Sequence, residues 1–453
     1  MARVLVVCAE PIGPQVAGPA IRALELARVL ASSHEVTIAA PAPSQTGDQR
    51  ISLIEAGFAD YDELSAAVAA SDFVVAQSLP PRLLSKLPSL GTRLIADLYN
   101  PTVFEVLEAG RDKPTAARRR QQRTVTLASI AQLAAASFVI CASEQQRDLW
   151  LGVMAAEGLV QIEDYSRDPT LRSVIDVVPF GLPTNPPAAP ASPPIRSMFP
   201  SIAADDRIVL WGGGVWNWLD PETAIDAIGL IEKQRSDGPR THLVMMGIGR
   251  PASEELDAMR ACQRMLGHLT RSGLEGEVVH VNRGWVDYDE RGGWLLEADL
   301  GVSTHHDHLE SRLAFRTRML DYIWASLPIV ATSGDTLSAL IELEGLGLTV
   351  PPGDSEALAQ AITALLDDPA RLAAAELSLQ QLAPRMTWQR SAAVLGAICA
   401  GEVAIGAPDR AALRRTTFAQ YPPLLAETRA THGVRGAGGR AWRNLRRAIT
   451  PGR

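Results

Sequence analysis

Lysine is nearly missing from this chain of 453 residues: Lys86, Lys113 and Lys233 are the only three among 43 basic residues. Arginine is the default cation here, so an arginine in a given segment says less than it would elsewhere. Four cysteines (Cys8, Cys141, Cys262, Cys399) lie far apart without a CxxC pair. That spacing argues against a disulfide framework or a zinc module and fits a reducing cytoplasm. Each cysteine reads as a small buried apolar residue rather than a nucleophile. No uninterrupted run of about 18 apolar residues occurs, so no segment is expected to span a bilayer. The opening MARVLVVCAEP lacks the length and flanks of a secretory signal and reads as a short strand entering a loop. A net charge of −8 argues against a general nucleic-acid binder.

What is present is an ordinary globular composition, 47% hydrophobic and 21% charged, long enough for two domains plus extras. Strand candidates are Val4–Cys8, Glu35–Ala40, Phe73–Ala76, Leu94–Asp97, Phe138–Cys141 and Val174–Pro179, with helical stretches between many of them. The pattern restarts with Arg207–Trp211, Thr241–Met246, Val278–Val281, Leu300–Ser303, Ile329–Thr332 and Gly347–Val350. Short valine- and isoleucine-rich runs separated by helices predict parallel sheets covered on both faces. The expected organisation is a Rossmann-like domain over 1–183, a Pro-rich linker over 184–204 and a second Rossmann-like domain over 205–385. A helix over 386–400 and an Arg-rich tail over 401–453 would follow. Ligands of such sheets sit beyond the carboxyl ends of the strands, in an interdomain cleft. The tail holds ten arginines against three acids. Its apolar stripe Trp442–Leu445–Ile449 suits either a solvated segment or an anchor on an anionic membrane surface.

The segment His305–Thr332, HHDHLESRLAFRTRMLDYIWASLPIVAT, reads as a polar loop, a short helix, a tight turn and a buried strand. Met319, Leu320, Ile323 and Trp324 recur at helical spacing, so one face packs inward. Arg316 and Arg318 stand where a helix N-terminus presents unpaired N–H groups, a setting suited to phosphate oxygens. Asp321, one turn deeper, can accept hydrogen bonds from a ribose diol. Simple charge capping of the helix end is the plainer alternative. The neighbouring His305, His306, Asp307, His308 and Glu310 resemble a metal set, but adjacent residues diverge and no distant ligand pair completes a shell. Glu310 or His306 as a partner for a sugar hydroxyl is the stronger expectation, with no metal.

Other loops carry weaker signals. In EPIGPQVAGPAIRAL, Gly18 and Arg22 open a helix without GxGxxG spacing, so a sugar or acceptor contact competes with a plain connection. Tyr99 and Asn100 end a buried strand and can line a cleft. In VLWGGGVWNWLDPETAIDA, Gly213 and Gly214 can bring backbone N–H groups against a diphosphate. Asp220–Pro221 there forms a helix start. Ser143 before Glu144–Gln146 reads as a helix cap. Trp285 and Tyr288 can border a nucleobase or serve the core.

In this order the pieces resemble the GT-B fold, two Rossmann-like domains facing a cleft, of the large retaining glycosyltransferase family 4. GPAIRALELARVLASSHEVTIAAP is similar to that family's opening, VIDVVPFGLP to the segment before its linker, and THLVMMGIG to a glycine-bearing strand. GWVDYDERGGWLLEADLGVSTH and LDYIWASLPIVAT resemble the stretches around its donor site. The resemblance implies a cytoplasmic enzyme, peripheral at the inner face of the plasma membrane if the tail binds there. It would move a sugar from a nucleoside-diphosphate-sugar substrate, without cofactor, to a glycan or lipid-linked acceptor with retention. Surface polysaccharide or glycolipid synthesis is the implied setting. Asp321 falls where the family's second glutamate binds ribose, and Glu310 stands for the first, with ten residues intervening rather than seven. The family's Arg and Lys after the glycine loop are replaced by Trp216–Leu219, so Arg316, Arg318 and Arg312 are expected to supply that charge. An epimerase or hydrolase of the same fold, or a degenerate sugar-binding protein, are the alternatives.

Overall fold

The computed structural model describes residues 1–235, 237–248, 260–406, 408, 409, 411–413, 415, 416 and 419. Apolar strand runs assemble into two sheets whose strand pairs are all parallel. The first sheet contains β1 (Arg3–Val7), β2 (Glu35–Ala40), β3 (Ile51–Glu55), β4 (Phe73–Ala76), β5 (Arg93–Asp97), β6 (Ala136–Cys141) and β7 (Ile175–Val177). Their order is β3-β2-β1-β4-β5-β6-β7. The second contains β8 (Arg207–Trp211), β9 (Thr241–Met245), β10 (Val279–Val281), β11 (Leu300–Ser303), β12 (Ile329–Thr332) and β13 (Gly347–Val350). Its order is β10-β9-β8-β11-β12-β13. Both are doubly wound, with the direction of winding reversing beside the first strand, β1 or β8.

Burial explains why the strands read clearly. Phe73–Ala76 and Ile329–Thr332 are buried at every position, as expected of strands covered on both faces. β3 was not expected from the sequence. It is an edge strand, paired only with β2, and only Ile51 of ISLIE is fully buried. An edge strand needs no continuous apolar run, which removes the signal that marked its neighbours.

The chain divides into two units, Met1–Gly13 with Pro19–Pro179 and Ala392–Arg453, and Pro14–Gly18 with Phe180–Ser391. The boundary thus falls at Phe180, ahead of the expected linker. The 184–204 stretch is built into the second unit and is no loose connector. Pro194 opens the short helix Pro194–Met198, whose Ile195 and Arg196 backbone N–H groups donate to the Glu297 carboxylate at 2.6 and 2.9 Å. Pro187 and Pro190 lie against Gly292 and Gly293, and Trp324 Nε1 donates to the Asn185 carbonyl. Proline is tolerated because it occupies a first helical turn and irregular backbone with no ladder to maintain. The expected 386–400 helix is two helices, Trp388–Ser391 in the second unit and Ala393–Ala400 in the first. Further on, Gly401, Glu402 and Ala404 are exposed, while Ala412 and Leu413 are buried in the first unit's core. Trp442, Leu445 and Ile449 lie outside the described residues.

Candidate functional site

Strand β8 ends in Trp211, and the chain then turns through Gly212, Gly213 and Gly214 at the point where the second sheet reverses its winding. Gly213 has φ +81°, a backbone angle that favours glycine, and open space where a Cβ would be. Tyr322 holds the base of this turn. Its hydroxyl accepts from Gly212 N–H at 2.7 Å, and its proton lies between the Leu210 and Val302 carbonyls, each at 2.9 Å. Gly301 on β11 makes room for that ring, since a Cβ there would lie 2.6 Å from it.

Arg318, in the helix Thr317–Trp324, reaches the same turn. Its Nη2 donates to the Gly214 carbonyl at 2.7 Å, and its guanidinium lies 4.4 Å from the Trp211 ring centre. Burial lowers its pKa to about 10, which leaves it cationic at neutral pH. Its Nη1 has no hydrogen-bond partner, and no acid pairs with it among the described residues. Trp285 packs on the other side, 3.3 Å from where a Gly214 Cβ would stand. The structure therefore joins Gly213, Gly214, Arg318 and Trp285 at the carboxyl end of β8.

The remaining expected residues separate. Arg316 is not an available phosphate fork. It is 7% exposed and makes a two-pronged pair with Glu310, Nη1–Oε1 at 3.2 Å and Nη2–Oε2 at 2.9 Å. Glu310 is itself 2% exposed, so its carboxylate is committed to Arg316 and Ser311. Asp321 turns to Arg291, whose Nε donates at 3.0 Å, while its own side chain stays 33% exposed. The expected cluster of Arg316, Arg318 and Asp321 thus resolves into three side chains with three different partners. Successive residues around a helix start diverge by about 100° each, so shared position does not give shared direction. Arg312 is exposed. His306 is 41% exposed, with Nδ1 3.8 Å from the Asp220 carboxylate. Asp220 caps the helix Pro221–Gln234 through Thr223 N–H, as its sequence position predicts. The loops after β8 and β11 are tied there by Asp220 N–H donating to the Thr304 carbonyl at 3.1 Å. His308 accepts from Ser311 N–H as a helix cap. Among the described residues no three His, Cys, Asp or Glu side chains converge in a metal-holding group.

In the first unit Arg22 is a correction. It is fully buried, paired with Asp97 at 2.7 and 2.8 Å, bonded to the Val178 carbonyl, and set 4.9 Å from the Tyr99 ring centre. It joins the first helix to the ends of β5 and β7 instead of meeting an acceptor. Tyr99 is 4% exposed, and burial drives its phenol pKa well up. Asn100 and Gly18 are half-buried. Ser143 accepts from Gln146 N–H, a structural cap.

Sequence reasoning missed Arg291, Tyr322 and Asp335, and placed His305 only in a metal-like set. Arg291 lies 3.6 Å from the Tyr288 ring centre and 4.4 Å from that of Trp324. Asp335 had a readable signal, the Asp-x-x-Ser cap it forms with Ser338. Tyr322 had none, because an apolar helix face hides a phenol well.

Residues 206–368 match the family model for glycosyl transferases group 1. A D-inositol 3-phosphate glycosyltransferase of Thermobispora bispora is 26% identical over 197 residues, 44% of this chain and 44% of that protein. The match thus spans less than half of that curated relative. Sucrose-phosphate synthase from Thermosynechococcus elongatus superposes with TM-score 0.60 at 17% identity, covering 89% of this chain and 99% of that one. Anabaena HepE in complex with UDP-glucose superposes with TM-score 0.62 at 14% identity, covering 89% and 99%. The fold is GT-B. Residues 206–368, which match the group 1 model, include the glycine turn and Arg318.

Proposed function

We propose that the chain transfers a sugar from a nucleoside-diphosphate sugar to a glycan or lipid-linked acceptor, with retention, in surface polysaccharide or glycolipid synthesis. One observation carries this reading: a buried guanidinium, without an acidic partner among the described residues, lies against a glycine turn at the switch point of the second sheet. A desolvated cation of that kind is costly unless an anion completes it. A diphosphate bound at Gly213–Gly214 would do so, with Trp285 bordering the base and the exposed part of Asp321 available to a ribose diol. As the bond from the sugar to the diphosphate breaks, negative charge grows on the leaving oxygens. A preorganised cation and backbone N–H groups stabilise that charge without reorganisation. UDP-glucose is present in the HepE complex, and uridine diphosphate sugars are the first donors to try. The acceptor side is assigned to the first unit, without Arg22.

The test is a thermal-shift panel of nucleotide sugars on the wild type and Arg318→Ala. A donor should raise Tm in the wild type and lose at least tenfold affinity in the variant, about 1.4 kcal/mol. Equal binding by both would remove Arg318 from the site. A second reading, a sugar-binding protein without turnover, is favoured by one feature: Glu310 is already held by Arg316. It predicts donor protection with no release of nucleoside diphosphate in the presence of acceptors.

A further inference from the structure

Behind Glu310 lies a buried polar group that the proposed function does not use. His305 and Asp335 have side chains 2% and 0% exposed, and Arg316 7%. His305 Nε2 is 3.6 Å from Asp335 Oδ2, and Arg316 Nε is 3.9 Å from the same oxygen. None of these three atoms has a hydrogen-bond partner among the described residues. Both distances are too long for a direct hydrogen bond by several tenths of an ångström.

Proton counting then constrains what fills the gap. His305 Nδ1 lies 3.1 Å from the His306 carbonyl, which can only accept, so Nδ1 carries the proton. In the neutral ring Nε2 is then an acceptor, and it faces Asp335 Oδ2, an acceptor in the ionised form that the Arg316 cation and the Ser338 N–H favour against burial, which raises the Asp335 pKa. Burial and the nearby Arg316 hold the His305 pKa down at about 4, so the ring stays neutral near pH 7. Arg316 Nε is a donor. Two acceptors and one donor, all buried and converging, match the two protons and a lone pair of one water molecule.

We propose that His305 Nε2, Asp335 Oδ2 and Arg316 Nε bind one internal water, which fixes the Arg316 guanidinium and so aims its fork at Glu310. Asp335 and His305 are then positioning residues. Asp335 is anchored by Ser338 N–H at 2.6 Å on its other oxygen, which leaves Oδ2 committed to the water.

The experiment pairs a high-resolution crystal structure of the full chain with ¹⁵N NMR of the His305 ring. Wild type should show one water within hydrogen-bond distance of all three atoms and a proton on Nδ1 only. Asp335→Asn keeps the cap to Ser338 through its oxygen but presents N–H to Arg316. It should expel the water and turn the Arg316 fork from Glu310. His305→Leu, which leaves the cap intact, should lose the water too. Direct contact of Asp335 with His305 and no water, or an unmoved Arg316 fork in Asp335→Asn, overturns the proposal. If the wild type binds no nucleoside diphosphate, the functional reading fails, while the water and the fork still decide this one.

Discussion

A buried arginine is held in place by what it would cost to leave its partner alone. Arg22 and Asp97 form such a pair in the first unit, at 0% and 5% side-chain exposure. Arg22→Met should destabilise the chain by about 3–5 kcal/mol, because Asp97 would remain charged and uncompensated. Adding Asp97→Leu should return much of that loss, as urea midpoints of the single and double variants will show; additive losses would contradict the coupling. Arg318 behaves differently, because its neighbours are a carbonyl and an indole face. Arg318→Lys keeps the charge but loses the flat contact with Trp211 and the fork. Donor affinity should drop roughly tenfold with little change in Tm, and calorimetric titration separates the two effects.

Helices and strands were legible where burial is periodic or continuous, and less so where one residue type serves two ends. Asp220–Pro221 announced a helix start, and the buried runs of β4, β8 and β12 announced strands. The proline-rich 184–204 stretch misled, because proline content reports missing N–H donors and not missing contacts. Its anchor, Glu297, lies about a hundred residues away in sequence. Gly347, which opens β13, shows an element-level demand that the sequence does not disclose. Its φ is +153°, and a Cβ there would lie 1.9 Å from the Ile329 carbonyl oxygen on β12. Gly347→Ala should therefore cost roughly 3 kcal/mol or more through the β12–β13 pairing. A normal urea midpoint for this variant would show that the strand shifts without penalty.

Across the molecule, buried histidines tie stability to pH. His242 Nε2 lies 3.0 Å from Asp206, and its Nδ1 lies 3.0 Å from His280 Nε2. Burial lowers the pKa of His242, and burial with His242 nearby takes His280 to about 4, matching His305 at about 4. The unfolded chain takes up protons near pH 6.5 while the folded one does not, so stability is full above that pH and falls as pH drops toward 4. Each such histidine contributes a slope of up to about 1.4 kcal/mol per pH unit in that window. Urea midpoints at pH 7, 6 and 5 should decline, and less steeply in His280→Gln; a flat profile would show that these rings take up protons as readily folded as unfolded. Two Rossmann-like sheets and the position of the glycine turn were readable from residue spacing, because periodic burial is a local property. Which guanidinium meets which carboxylate was not, since Arg316 with Glu310, Arg291 with Asp321 and Arg22 with Asp97 depend on side-chain directions. Those directions are set by packing between segments distant along the chain, and only the folded arrangement supplies them.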